Sequence, residues 1–246
     1  MSALAVFLIA VGAGDLGRRV VSARWAAPVV AVSTIVGCLL IGALWHVGDL
    51  ILLVVAAIAA VAWLLLCDRA ERSGRHQALP LTVLGVAIVT LFLLSALGSD
   101  VAGLIAHWLT WVGLDASPNR MLMVLGVMLA QLATANAVVR LVLGSVGSVK
   151  PVGQPQASDQ LKGGRLLGPM ERLLIVGLGL AGQLTMASAV VAAKSIIRFP
   201  EISAKRDKNG TPERVGIDDV TEYFLVGSLA SWMLAFAGLA LVAAVH

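Results

Sequence analysis

Apolar runs separated by brief polar breaks follow one another along most of the chain. The first, Ala3 to Gly14, meets Asp15, Arg18, Arg19 and Arg24. Pro28 to Val47 and Leu50 to Leu66 are joined by only Gly48 and Asp49, which predicts an antiparallel helical hairpin. A basic break carrying Arg69, Arg72 and Arg75 follows, then a fourth run, Leu79 to Leu97. Residues 101 to 114 are too few to span a bilayer and place Trp108 and Trp111 near His107, so they predict an interfacial or re-entrant helix. Ser117 and Pro118 mark the start of a fifth span over Met121 to Leu143. Gly144 to Gly164, rich in Gly, Ser, Pro and Gln, reads as a flexible linker.

Residues 165 to 201 read as one long helix with charge at both ends. From Leu173 to Ala193 there is no charged side chain, a run of about 31 Å as α-helix, which matches a bilayer's hydrocarbon core. A polar loop over 202 to 217 and a last span, Glu222 to Val245, complete the pattern. The expectation is an all-α polytopic transmembrane bundle of about seven spans plus one interfacial or re-entrant helix. Its organisation is an N-terminal membrane half (1–143), a linker (144–164) and a C-terminal two-span hairpin (165–246).

Composition sharpens this reading. With 59% hydrophobic and 13% charged residues and a mean hydropathy of +0.94, the 246 residues leave no room for a sizeable soluble domain. The net charge of +4 sits in the breaks between apolar runs, where it sets topology and meets anionic lipid; a nucleic-acid partner is not expected. The N-terminus lacks the basic opening of a secretory signal and reads as a retained span. Orientation by the positive-inside rule is only partly consistent. An outside N-terminus puts three basic breaks inside but leaves the six basic residues of Lys194 to Thr221 outside.

Familiar chemistry is sparse. Gly177, Gly179 and Gly182 spell G-x-G-x-x-G, but a dinucleotide turn needs a strand before it, and here the glycines lie inside a membrane helix. They read instead as sites of close helix approach, with Gly182, Thr185, Ala189 and Ala192 facing Gly227, Ser231, Ala235 and Gly238. Gln131 and Gln183, with Thr134 and Asn136, read as interhelical hydrogen bonding between the fifth and sixth spans. Asp218, Asp219 and Glu222 read first as acids at a helix start and secondarily as oxygen ligands for a divalent cation, which a metal-dependent transferase would need. The four histidines are scattered, the two cysteines carry no metal spacing, and no hydrolase or ATPase signature occurs. No catalytic residue, metal or cofactor is expected.

Two charged clusters remain. Lys194, Ser195, Arg198 and Glu201 at the exit of the sixth span converge with Glu222 and Tyr223 at the entry of the seventh. Cations beside hydroxyls suit a phosphate or lipid headgroup, and the same charges equally form an interfacial salt-bridge cluster that anchors helix depth. Arg140, Glu171 and Arg172 form a second interface cluster, with an Arg140–Glu171 pair as its link.

The segments GRLLGPMERLLI, AAKSIIRF and EYFLVGSLAS resemble a family of uncharacterised bacterial integral membrane proteins, through Gly164, Arg165, Gly168, Glu171, Arg172, Lys194, Ser195, Arg198, Phe199, Glu222, Tyr223, Gly227 and Ser231. The resemblance covers roughly residues 164 to 235 and implies a shared membrane core in a multi-pass protein of the bacterial plasma (inner) membrane. The function expected from these readings is non-enzymatic binding or movement of an anionic amphiphile or lipid, with membrane lipids as partners. The alternative is a structural or assembly partner, as a homo-oligomer or with another membrane protein. A metal-dependent transferase stands third.

Overall fold

The computed structural model describes residues 1–21, 23, 25–113, 115–146, 164–193, 196 and 217–245. Among these there is no strand. The helices are α1 (Ser2–Val20), α2 (Ala26–Gly42), α3 (Val47–Ser73), α4 (Ala78–Leu93), α5 (Gly103–Val112), α6 (Pro118–Leu129), α7 (Ala135–Ser145), α8 (Gly164–Leu180), α9 (Leu184–Ala193) and α10 (Ile217–Ala243). A π-turn, Ala130–Thr134, joins α6 to α7 without breaking the rod.

Helix α1 is the hub. It is buried on all sides from Ser2 to Gly12, which fits a sequence apolar all round its circumference. Helix α6 reaches it closely because glycines lie at the crossing. A Cβ on Gly126 would sit 2.8 Å from the Ala5 carbonyl oxygen, and one on Gly12 would sit 2.9 Å from the Leu129 Cβ.

Polar contacts fix the two ends of the bundle. At one end the Ser2 hydroxyl donates to the Ser99 carbonyl at 2.9 Å. There the Ser99 amide and hydroxyl both donate to Asp49, and Asn119 bridges Asp100 and the Val101 amide. The start of α1, the start of α3, the stretch after α4 and the start of α6 therefore meet at this end. The last turns of α1 and α3, the first turn of α2 and the middle of α7 meet at the other, the arginine end. Helices α1, α3 and α6–α7 run toward the arginine end, while α2 and α4 run away from it. Helix starts follow local chemistry: the Ser117 hydroxyl caps α6 by accepting from the Arg120 amide, with Pro118 at the first helical position.

Three helices, Val47–Ser73, Pro118–Ser145 and Glu222–Ala243, are long and apolar enough to cross a membrane. The count of seven is not supported, because α2 and α4 are shorter and the long helix expected over 165–201 is interrupted. It stops at Leu180. Gly182 takes a left-handed φ of +75°, its amide donates to Gly179 and the Gln183 amide donates to Leu178, the paired bonds that close a helix end. α9 begins afterwards. Helix α5 is 10 residues long and lies against the end of α2, where the Ala102 amide donates to the Gly42 carbonyl, in keeping with a helix that does not span.

The expected small-residue seam between the last two spans is also rearranged. Gly182, Thr185, Ala189 and Ala192 are exposed. Gly227 packs instead on Val139 and Leu143 of α7, and Gly238 on Val127 and Gln131. α8 meets α10 through Gly179, whose missing side chain leaves room for Leu239. Residues 171, 172 and 179 face 232, 231 and 239, so α8 and α10 run side by side in the same direction. The two legs of a simple two-span hairpin would run oppositely.

Candidate functional site: a buried arginine behind a charged cavity

Half-way along α6–α7 the π-turn widens the helix, a device frequent at functional sites because it turns backbone carbonyls out of the helix wall. Arg172 of α8 occupies the space beside it. The guanidinium donates to the Gln131 carbonyl from Nε at 3.2 Å and from Nη2 at 3.0 Å, to Asn136 Oδ1 at 2.5 Å and to Ser231 Oγ at 2.9 Å. The residue is 1% exposed, and every oxygen it meets in these bonds is neutral. Gln131 extends the network by donating from Nε2 to the Leu234 carbonyl of α10 at 2.8 Å. Its Oε1, and Oγ1 of Thr134, are buried without a hydrogen-bond partner. An ionised side chain at such a position marks a site, because burying charge among neutral groups is costly.

Asn136 is shared with a cavity of about 320 Å³ that opens at the arginine end between α1, α2, α3 and α7. Four cations line it, Arg18, Arg19, Arg72 and Arg140, against three carboxylates, Asp15, Asp68 and Glu71. Three pairs form: Arg18 with Asp15, Arg72 with Asp68 at 2.8 Å, and Arg140 with Glu71 at 3.7 Å. Asp15 is buried and its second oxygen accepts from the Trp63 indole at 3.1 Å, so this pair is anchored in the core. Arg19 is different. Its one hydrogen bond runs to the Ala133 carbonyl of the same π-turn at 3.5 Å, and no carboxylate pairs with it among the described residues. A second, open groove of about 630 Å³, lined by Trp25, Leu65, Asp68, Arg69, Arg72 and Ser73, adjoins the cavity and shares Leu65, Asp68 and Arg72 with it.

The expected second interface cluster is thereby taken apart. Arg140 does lie at a bundle end, but it pairs with Glu71, while Glu171 accepts from the Trp232 indole at 2.7 Å. Arg172 is not interfacial: it is enclosed half-way down the bundle. Gln131 does bond between helices, to the α10 backbone and to Arg172, whereas Gln183 lies exposed in the break after α8. Of the first expected cluster, Lys194, Ser195, Arg198 and Glu201 lie outside the described residues. Glu222 is exposed and Tyr223 half-buried in the early turns of α10. No group of three or more His, Cys, Asp or Glu able to hold a metal occurs among the described residues.

Sequence reasoning missed Arg19, Asp15 and Glu71 because the cavity draws on four helices distant along the chain. One signal was available: three polar residues, Gln131, Thr134 and Asn136, on mid-span turns of one helix require buried partners. Neither a family model, nor a curated protein, nor a solved structure matches this chain.

Proposed function

We propose that this is a multi-pass integral protein of a bacterial plasma membrane that binds or moves an anionic amphiphile, with the headgroup in the arginine cavity. The observation that carries the reading is the pairing within that cavity. Three of its arginines are neutralised by carboxylates, whereas Arg19 has no carboxylate partner among the described residues, so an entering anion meets a guanidinium whose charge is unpaired there, with fixed charge around it. The adjoining groove offers Trp25 and Leu65 to an apolar tail. Asn136 links the cavity to Arg172, which gives a route by which the bound anion is felt in the α8–α10 core. The C-terminal motifs resembling uncharacterised bacterial membrane proteins fit the same setting. Exposed cations beside anionic lipid gain roughly 1 kcal/mol each from surface potential alone, and a direct charge-assisted bond adds to that.

Native mass spectrometry with phosphatidylglycerol and phosphatidylcholine tests the proposal. The wild-type chain is expected to retain the anionic lipid preferentially, and Arg19→Gln to weaken that retention about tenfold, the loss of one charge-assisted bond. Equal retention of both lipids, or an unchanged preference in the variant, overturns it. A second reading, an assembly partner of another membrane protein or of a second copy, is supported by the exposed Gln183 in the break after α8 and the exposed Thr185 on α9, polar groups that a neighbouring helix could satisfy.

A further inference from the structure

The direction of two helices carries a consequence for membrane topology. Helix α10 lies antiparallel to α6–α7: Gly227 rests on Val139 and Leu143 near the arginine end, and Gly238 on Val127 farther in. It therefore starts at the arginine end. α8 runs parallel to it, with Glu171 bonded to Trp232, Arg172 to Ser231, and Gly179 against Leu239, so α8 starts at that end too. The chain must return to the arginine end somewhere between Leu180 and Ile217.

The sequence restricts where. Residues 194–216, KSIIRFPEISAKRDKNGTPERVG, hold six Lys or Arg and three Asp or Glu. At roughly 2.5–3.5 kcal/mol for each charge at a bilayer's centre, this stretch does not cross hydrocarbon. The two ends of a stretch that cannot cross belong to one side, and α10, which follows it in sequence, starts at the arginine end. Ala193 leads directly into that stretch.

The return is then made by α9, and the structure has a turn where one is needed. The paired bonds at Gly182 close α8 level with Leu239, a few residues before α10 ends at Ala243. Continued straight on, LTMASAVVAA would leave the apolar zone altogether, yet Ala187 is fully buried and Val190 and Val191 pack on the core.

We infer that Gly164–Ala193 is a helical hairpin folded at Gly182, whose second leg turns the chain back toward the membrane boundary that holds the arginine cavity. The apparent exception to the positive-inside rule then disappears. Among the described residues, Arg18, Arg19, Arg69, Arg72 and Arg140 stand at the arginine end, Arg120 at the opposite end and Arg172 within the bundle, which makes the arginine end the cytoplasmic one. Any headgroup recognised by the cavity is approached from that leaflet. The inference rests on the chain's lying in a membrane and not on the identity of a ligand.

Single cysteines in a chain with Cys38→Ala and Cys67→Ala test it, labelled by a membrane-impermeant maleimide in sealed vesicles of known orientation. Arg69→Cys reports the arginine end and Trp111→Cys the other. Ala193→Cys and Ser203→Cys are expected to label with Arg69→Cys and to be protected where Trp111→Cys is labelled. Labelling of either together with Trp111→Cys overturns the inference. Should Ala193→Cys prove too enclosed to react, Ser203→Cys in the charged connector decides alone. Lipid retention in Arg19→Gln is read separately, so a failed headgroup proposal leaves the labelling pattern unaltered.

Discussion

Arg172 shows how much depends on a single side chain. It gathers three helices by donating to a π-turn carbonyl, a side-chain amide and a hydroxyl at once, a fork that a point-charge ammonium does not reproduce. Arg172→Ala leaves the Gln131 carbonyl and Ser231 Oγ short of a donor inside the bundle, and Asn136 Oδ1 short of one at the cavity wall. At about 1–3 kcal/mol for an unsatisfied buried group, the expected loss is about 3 kcal/mol or more. Thermal unfolding in detergent reads it, with Arg172→Lys expected between the wild type and the alanine variant; an unchanged midpoint in Arg172→Ala would remove the structural account of the network. The role was not legible in the sequence, because an arginine directly before a long uncharged run looks interfacial. What moved it inward is the placement of α8: its neighbours on α10 and α6–α7 are mid-helix residues, a fact set by packing among distant segments.

At the scale of elements, glycines separate into those that permit a crossing and those that do not. Gly126 and Gly12 let α1 and α6 touch backbone to side chain, whereas Gly37 of α2 and Gly85 of α4 have nothing within 4 Å of where a Cβ would stand. Gly126→Ala is expected to cost about 1–3 kcal/mol by forcing α1 and α6 apart. Gly85→Ala, in an open helix interior, is expected to be neutral or stabilising by up to about 1 kcal/mol. Chemical or thermal unfolding of the two variants side by side checks this, and equal effects would refute the crossing as a determinant of the core. Much of this level could be read beforehand: α2, α3, α4, the short α5 and the start of α6 at Pro118 follow the apolar runs and caps. The break at Gly182 could not. Hydropathy is continuous through Leu173–Ala193, and the left-handed turn needs only one glycine, which the surrounding G-x-G-x-x-G spacing presents as a packing residue.

Over the whole molecule, the outer surface is apolar in a helical rhythm. Val29, Val32, Val36 and Leu40 face outward on α2, Val86, Val89 and Leu93 on α4, and Leu225, Leu229, Met233 and Phe236 on α10. Such stripes recur at three and four residues, the period of one helix face, and here that face looks away from the core. Composition made this much legible, since a chain 59% hydrophobic cannot bury all of its apolar surface in 246 residues. The cavity escaped because its charged residues come from breaks that individually read as topology signals. The apolar belt gives a direct expectation: washing membranes with alkaline carbonate or urea leaves the protein in the pellet, and detergent releases it. A peripheral protein held by its cations to anionic lipid would come away in high salt, since screening shortens the reach of those charges to about 3 Å at molar ionic strength. Retention through both washes separates the two states, because screening leaves the burial of the α2, α4 and α10 stripes in lipid intact. Release by salt or carbonate would mean that these faces are covered by protein instead.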